Sequence, residues 1–228
     1  GAPLPHEHRQ RLMDVLPPNT FHELYGLTEG FATVLDGADA AAHPGSVGIP
    51  LPFNYMRIVD TDGNDVAGGV VGEILGRGTL LMPGYHRRPE LTGQAIVDGW
   101  LHTGDLGYVD DAGFLHLVDR RKDLIISGGV NVYPRDIEDV AAGHPAVAEV
   151  AVFGVPHPRW GECAVAAVVP RHDAAPGTDE LREWINAHVC ARFQHVVDVV
   201  LYRELPRNVA GKALKHELRR RYLSEQAD

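Results

Sequence analysis

Five short segments of the sequence combine hydroxyl, carboxylate or lysine side chains with glycines, and these residue types could form a functional site. In chain order they are Tyr25–Glu29, Gly72–Ile74 with Gly84-Tyr85, Trp100–Gly107, Asp119–Pro134 and Leu205–Lys212. Taken singly, each has an ordinary structural explanation: Glu29 could be solvated, Asp105 could close a turn, and Lys212 could be a surface lysine. Taken together and in this order, they favour a shared functional site.

The composition is that of an ordinary globular chain. Of 228 residues, 44% are hydrophobic and 23% are charged, and 31 acidic against 21 basic residues give a net charge of -10. This acidic balance argues against a nucleic-acid or anionic-membrane surface, so an anionic ligand must be held by local groups. The sequence has no apolar run of membrane-spanning length and no signal-peptide pattern, so we expect a cytoplasmic protein with no integral membrane part.

Histidine and cysteine give no metal signature of their own. The sequence contains 13 histidines and two cysteines. His6-Glu7-His8 is the one close histidine pair and lies near the chain end, where fraying is common. Cys163 and Cys190 lack the CxxC spacing of a structural zinc site, and we expect both to be packing residues.

The elements that must position these segments change in character along the chain. Residues 6–16 carry Leu12, Val15 and Leu16 at helical spacing and are followed by Pro17-Pro18, which predicts a first helix. Phe21–Tyr25 is typical of a short strand that leads into a turn over Gly26–Gly30. From Gly45 to Val118, β-branched runs alternate with turn dipeptides, which indicates antiparallel hairpins and a small barrel or sandwich.

The second half of the chain mixes helices and strands. Pro134 stands at a first helical position with acidic residues behind it, and the helix should stop at Gly143. The other predicted elements are strands over Val147–Val155, Glu162–Val169 and Val196–Tyr202, a helix capped by Thr178 that runs to His188, and a helix over Ala213–Leu223. The expected back half is a compact α+β domain.

The five segments and their order resemble the second half of the adenylate-forming superfamily of acyl-CoA synthetases, adenylation domains and luciferases. The resemblance covers essentially the whole chain. It implies an α+β fold: a small antiparallel barrel-like lobe at residues 1–120, belonging to a large N-terminal AMP-binding domain, and a mobile C-terminal domain at residues 121–228. In this family a carboxylic acid attacks the α-phosphate of ATP, and the acyl group then passes to the thiol of CoA.

The same resemblance implies a nucleotide site in the first domain. Thr28 would hydrogen-bond the α-phosphate, and Glu29 would bind Mg²⁺, a hard cation that prefers oxygen ligands. Tyr25 would pack on adenine, while Asp105 would accept both ribose hydroxyls and Arg120 would donate to the ribose. The full set implied for the nucleotide is Gly1, Ala2, Pro3, Tyr25, Gly26, Thr28, Glu29, Asp105 and Arg120.

The resemblance also implies roles in the second domain. Lys212 would bridge the attacking carboxylate and the α-phosphate and neutralise charge that builds in the transition state. Lys122 matches the hinge position, where rotation would withdraw Lys212 and bring Gly128-Gly129 to the pantetheine channel of CoA. Arg207 and Lys215 would only support the local electrostatic field.

One family feature has no counterpart in the sequence. The Ser/Thr/Gly-rich phosphate loop that precedes these motifs in the family is missing, and the sequence starts at Gly1. We therefore expect part of a fatty or aryl acid–CoA ligase that is inactive without its N-terminal part. The alternatives are a separate non-catalytic nucleotide- or partner-binding module, and a ligase that loads a carrier protein, although the Ser127–Pro134 sequence favours CoA. The sequence does not identify the carboxylic acid.

Overall fold

The computed structural model describes residue 4, residues 6–209 and residues 211–226. The chain divides into two compact units, one from Leu4 to Arg121 and one that starts at Lys122. Both combine helices with antiparallel strands, which confirms the α+β fold class. Within the described residues, no helix is both long enough and apolar enough to span a membrane.

The first unit is built mainly from strands. Its elements are α1 (His6–Val15), β1 (Glu23–Leu27), β2 (Phe31–Leu35), β3 (Ile49–Pro50), β4 (Asn54–Val59), β5 (Gly72–Gly78), α2 (Pro89–Ala95), β6 (Ile96–Val97), β7 (Trp100–Val109) and β8 (Leu115–Arg120). Strands β1, β2 and β3 form one antiparallel sheet, while β4, β5, β7 and β6 form a second in that order, with β8 also paired to β7.

The second sheet of this unit has the hairpins that the turn dipeptides predicted. Asp98 and Gly99 both have positive φ angles, of 50° and 77°, and turn β6 into β7. Ile74, Leu101 and Leu115 are fully buried in the core between the strands and their neighbours. The described strands form an open sheet rather than a closed barrel, because no pairing joins β4 to β6 or β8.

The second unit is a single sheet with helices on both faces. Its elements are β9 (Ile125–Ser127), β10 (Val130–Val132), α3 (Pro134–Ala142), β11 (Val147–His157), β12 (Gly161–Pro170), α4 (Thr178–His188), β13 (Val196–Leu201) and α5 (Lys215–Glu225), with 3₁₀ turns at Arg121–Asp123 and Arg192–Gln194. The strand order is β10-β9-β12-β11, and β13 lies parallel to β12. One core contains Ile137 of α3 and Ile185 of α4, and the other contains Leu218 of α5.

Several boundaries differ from the sequence predictions for local physical reasons. Gly26 belongs to β1 rather than to the following turn, because it pairs with Ala32 of β2. Gly177, not Thr178, is the N-cap of α4, since its backbone N–H donates to the Glu180 carboxylate at 3.4 Å. Helix α5 starts at Lys215, two residues later than predicted, and α2 was not predicted at all.

The two cysteines differ in their surroundings. Cys163 is buried on β12, whereas Cys190 is exposed in the connection that follows α4. The prediction that both are packing residues is therefore wrong for Cys190. Burial also raises the pKa of the Cys163 thiol, with the charge of Glu162 as a second cause, so this thiol stays protonated at neutral pH.

Candidate active site

The end of β1 can only be built with glycine at position 26. A Cβ atom there would lie 2.8 Å from the carbonyl oxygen of Phe31 on the paired strand β2. The preceding side chain, Tyr25, packs edge-on against the Phe31 ring, with ring centroids 6.4 Å apart and planes at 74°. Close strand pairing and this aromatic contact fix the direction of the Tyr25 hydroxyl.

Asp105 lies at the centre of a small polar cluster. The Tyr25 hydroxyl donates to Asp105 Oδ2 at 2.8 Å, and Arg120 Nε lies 3.3 Å from Asp105 Oδ1. Arg120 comes to this position because it pairs directly with Asp105 across β7 and β8. Asp105 is only 8% exposed, so its charge is stabilised by these two neighbours rather than by bulk water. The structure thus groups three of the residues assigned from sequence.

A bulge in β7 sets the position of Asp105. Glu73 of β5 faces Leu106, and Leu75 faces His102, so the segment Thr103–Asp105 lies opposite the single residue Ile74. Thr103 holds the bulge, because its hydroxyl donates to the Ile74 carbonyl at 2.7 Å and accepts the Asp105 N–H at 3.1 Å. Bulges of this kind redirect side chains next to active sites.

Electrostatics fix the protonation of Tyr25. Burial raises the pKa of Tyr25 strongly, and the charge of Asp105 and the hydrogen bond to it raise the pKa further. The hydroxyl therefore remains a donor to Asp105 at any pH at which the protein works. Because a carboxylate has about four acceptor positions, Asp105 retains capacity for more donors than these two neighbours.

Glu29 forms a second cluster, directly after β1. Its carboxylate accepts hydrogen bonds from the Tyr85 hydroxyl at 2.7 Å and from the Thr28 hydroxyl at 3.1 Å, and its carbonyl accepts the Met82 N–H at 2.8 Å. Partial burial acts to raise the pKa of Glu29, but the hydrogen bonds from Tyr85, from its own backbone and from Thr28 outweigh it, and the pKa is lowered. The carboxylate is ionised at neutral pH.

Gly30 holds the chain immediately after Glu29 close to a neighbouring segment. Its φ angle is +105°, and a Cβ atom there would lie 1.9 Å from the carbonyl oxygen of Leu80. Only glycine permits this approach. The Glu29 carboxylate is therefore presented from a backbone that is fixed on both sides, by β1 and by the segment around Leu80.

The Glu29 cluster suits a cation that is shared with a ligand. Among the residues that the structure describes, no group of three or more His, Cys, Asp or Glu side chains is arranged to hold a metal ion by itself. Mg²⁺ commonly binds through one or two carboxylates together with substrate phosphates and water. One ionised and oriented carboxylate such as Glu29 fits that mode of binding.

In the second unit, Gly128 and Gly129 form the tight turn between β9 and β10. Their φ angles are +60° and +82°, as in the turns that suit two-residue hairpins. The Gly128 N–H donates to the carbonyl of Trp160 at 2.7 Å, and a Cβ atom on Gly128 would lie 3.1 Å from the Trp160 ring. Nothing lies within 4 Å of a Cβ atom built on Gly129. One face of the turn is therefore packed and the other open.

Lys212 lies in a loop that Asn208 closes. The Asn208 side-chain oxygen accepts the Lys212 N–H at 2.9 Å, and the Asn208 N–H donates to the Lys212 carbonyl at 2.9 Å. Gly211, with a φ angle of +81°, donates its N–H to the Asn208 carbonyl at 2.9 Å. The backbone that carries the Lys212 side chain is thus fixed on both sides of its peptide unit.

The two basic residues near Lys212 have structural partners. Arg207 pairs with Glu149 of β11. Lys215 Nζ lies 2.7 Å from Glu138 Oε1 on α3, so it joins the start of α5 to another helix of the unit. Lys122 is exposed in the 3₁₀ turn Arg121–Asp123, and the residues predicted at the N-terminus, Gly1, Ala2 and Pro3, lie outside the described residues.

Two contributors to these clusters were not assigned a role from the sequence. Tyr85, part of the noted Gly84-Tyr85 pair, donates to Glu29 from a position 56 residues away. Thr103, within the noted Trp100–Gly107 segment, fixes the Asp105 backbone. Both residues lie in segments that the sequence analysis noted. Their roles depend on strand pairing between distant parts of the chain, which the spacing of residues in the sequence does not reveal.

Family models match two regions of this chain. The model described as AMP-binding enzyme matches residues 1–86, and the model described as AMP-binding enzyme C-terminal domain matches residues 136–212. These regions contain the Glu29 cluster and Lys212, respectively. The chain belongs to the family of AMP-binding, adenylate-forming enzymes.

Similar proteins of this AMP-binding family include CoA ligases. A feruloyl-CoA synthase from an Amycolatopsis species is 42% identical over 97% of this chain and 45% of its own length. A long-chain-fatty-acid–CoA ligase of Salmonella typhimurium is 43% identical over 86% of this chain and 35% of its own length. The chain thus spans less than half the length of the curated relatives that it matches.

Solved structures of the family share the fold. The o-succinylbenzoate CoA synthetase of Bacillus subtilis, in complex with its acyl-adenylate intermediate, has a TM-score of 0.87 and 34% identity over 96% of this chain and 44% of that chain. The same synthetase in complex with ATP and magnesium ion has a TM-score of 0.84 and 33% identity over 96% of this chain and 45% of that chain.

Proposed function

We propose that this chain is part of an ATP-dependent ligase that converts a fatty or aryl carboxylic acid into an acyl-adenylate and then into an acyl-CoA. The single observation that carries this proposal is the buried Asp105 carboxylate, held between the Tyr25 hydroxyl and Arg120 with acceptor positions to spare. Such a carboxylate is well suited to accept hydrogen bonds from two adjacent hydroxyl groups, such as those of ribose. Tyr25, Gly26 and Arg120 complete this nucleotide subsite, with Tyr25 packed on adenine.

The phosphates and the magnesium ion belong at the Glu29 cluster. Glu29 is ionised and oriented by Tyr85 and Thr28, and it would bind Mg²⁺ together with phosphate oxygens. Thr28, which is exposed, would turn its hydroxyl to the α-phosphate. Support comes from the synthetase of similar structure that holds ATP and magnesium ion.

Lys212 is assigned to the first half-reaction. An oxygen of the substrate carboxylate attacks the α-phosphorus, the bond from that phosphorus to the bridging oxygen breaks, and pyrophosphate leaves. A lysine ammonium group neutralises charge on the attacking and the phosphate oxygens, and losing such a group commonly costs on the order of 10²–10³ in rate. The Asn208 contacts keep the backbone of Lys212 fixed for this purpose.

The second half-reaction is assigned to a different face of residues 121–228. The CoA sulfur attacks the acyl carbonyl carbon, the bond from that carbon to the AMP oxygen breaks, and AMP leaves. Gly128 and Gly129 would border the pantetheine arm, which suits the open side of their turn. Rotation at Lys122, at the start of this domain, would exchange Lys212 for this turn, while residues 1–120 keep the nucleotide.

The proposal is tested in a completed ligase. The completed ligase is a fusion protein, in which this chain follows the N-terminal part of the Amycolatopsis feruloyl-CoA synthase. That part is the segment of the synthase that precedes the region similar to this chain. We expect ferulate-dependent exchange of pyrophosphate into ATP and, with CoA present, formation of feruloyl-CoA, whereas the 228-residue chain alone shows neither. Exchange by the chain alone, or none by the completed ligase when it is folded, would contradict the proposal.

A further inference from the structure

Glu73 is a buried carboxylate that the proposed mechanism does not use. It lies on β5, directly opposite Leu106 of β7, and is only 7% exposed. A buried carboxylate is costly unless several donors surround it. Glu73 has three: the Gly104 N–H at 3.3 Å from Oε1, and Arg121 Nη1 at 2.9 Å and His102 Nδ1 at 3.2 Å from Oε2.

The contact with Gly104 reaches the nucleotide subsite. Gly104 has a φ angle of +69° and is the residue before Asp105 in the bulge of β7. Thr103 holds the Asp105 N–H, so Glu73 and Thr103 together bind successive peptide N–H groups of the bulge. The direction of the Asp105 side chain depends on both anchors, because a bulge has no regular ladder to hold it.

The contact with Arg121 ties the same carboxylate to the strand that carries Arg120. Arg121 directly follows β8, and its guanidinium donates to Glu73 rather than to Asp105. Both flanks of the Asp105–Arg120 pair are thus attached to one side chain of β5.

We propose that Glu73 is a positioning residue that aims Asp105 at the two ribose hydroxyls by fixing the Gly104 peptide and the end of β8. The proposal rests on the proposed function, since it assumes that Asp105 binds ribose. Because Glu73 acts through Asp105, its replacement should weaken recognition of the ribose hydroxyls and not binding of the rest of the nucleotide.

The test compares two probes, AMP and 2′,3′-dideoxy-AMP, titrated into the 228-residue chain and followed by its ¹H–¹⁵N spectrum. The measured quantity is the ratio of the two dissociation constants. We expect Glu73→Met, which keeps the volume and removes the acceptor, to lower this preference for AMP about tenfold, in line with the loss of a charge-assisted hydrogen-bond anchor. Glu73→Gln retains an oxygen for Gly104 but turns an amide donor towards Arg121, so its preference for AMP is expected to lie between those of wild type and Glu73→Met.

The possible outcomes distinguish failure of the Glu73 positioning role from failure of the ribose assignment. A Glu73→Met chain that binds both probes more weakly but keeps the wild-type preference has lost only general structure, and the positioning role is then wrong. Should Glu73→Met not give a folded spectrum, Glu73→Asp decides instead, since its shorter side chain keeps the charge but withdraws from Gly104; an unchanged preference again overturns the role. If the wild-type chain shows no more preference than Asp105→Ala, the ribose assignment and the proposed function fail together.

Discussion

Replacing Asp105 by alanine is predicted to remove most of the affinity for nucleotide. A hydrogen bond to a charged group contributes roughly 1.5–3 kcal/mol net, and two ribose hydroxyls would make two such bonds. The loss is then about 3–6 kcal/mol, and since about 1.4 kcal/mol is tenfold in affinity, the dissociation constant for AMP should rise on the order of 10²–10⁴-fold. Asp105 is only 8% exposed, so in the variant water has little access to accept the hydrogen bonds that the ribose hydroxyls donate to Asp105 in the wild type.

The isosteric change Asp105→Asn separates charge from shape. The amide has one acceptor oxygen instead of two and no charge, so we expect an intermediate rise in the dissociation constant, on the order of 10–10²-fold. Asp105→Ala should also lower the free energy of unfolding of residues 4–121 by about 1–3 kcal/mol, because the partly buried Tyr25 hydroxyl loses its acceptor.

Titration calorimetry of AMP into the completed ligase measures the effect. Asp62→Ala is the matched control, because it removes the same charge from an exposed turn between β4 and β5 that contacts none of the assigned residues. An Asp105→Ala dissociation constant within about threefold of wild type would refute the ribose assignment. A loss in Asp62→Ala as large as in Asp105→Ala would show that net charge, and not a contact, sets the affinity.

Three further predictions have defined outcomes. Gly128→Ala should lower the free energy of unfolding by more than the roughly 1–2 kcal/mol that the positive φ angle alone costs in Gly129→Ala, since only the former meets a tryptophan ring at 3.1 Å; urea unfolding of both variants checks this. Glu29→Gln should raise the Mg²⁺ concentration needed for half-maximal pyrophosphate exchange at least tenfold, and an unchanged Mg²⁺ dependence would contradict the metal assignment. Burial, and after it the hydrogen bond to Asp198 and the charge of Asp198, raise the pKa of Tyr222 from 10.0 to about 12. The fold therefore stabilises the neutral hydroxyl. This contribution to the free energy of unfolding is complete below pH 10 and is lost as the pH rises through about 12. Unfolding free energies of wild type and Tyr222→Phe should therefore converge between pH 10 and 12, and a constant difference would argue against it.

Local signals in the sequence predicted the elements that depend on local chemistry. Turn dipeptides such as Asp98-Gly99 need positive φ angles, and the structure has them there. Pro134, followed by acidic residues, starts α3 as predicted. Helix α2 was missed because it is a seven-residue segment that contains Gly93 and buries none of its residues, so its apolar periodicity is too weak to detect.

Long-range partners could not be predicted in the same way. The Tyr85–Glu29 and Tyr25–Asp105 hydrogen bonds join residues 56 and 80 positions apart, and they exist only because of strand register. The same holds for Glu73, whose Gly-Glu-Ile segment was noted without a role. Its three donors meet only where the bulge of β7 passes over β5. The residues that could bind ligands were visible in sequence, but the residues that hold them were not.

The central claim is that Lys212 serves adenylation and not thioester formation. In the completed ligase, Lys212→Ala should lose ferulate-dependent pyrophosphate exchange by on the order of 10²–10³-fold, while it still converts supplied feruloyl-adenylate and CoA into feruloyl-CoA at a rate within a few-fold of wild type. Arg220→Ala, which removes a positive charge from the exposed face of α5, should leave both half-reactions unchanged. An equal loss of both half-reactions in Lys212→Ala would contradict the account.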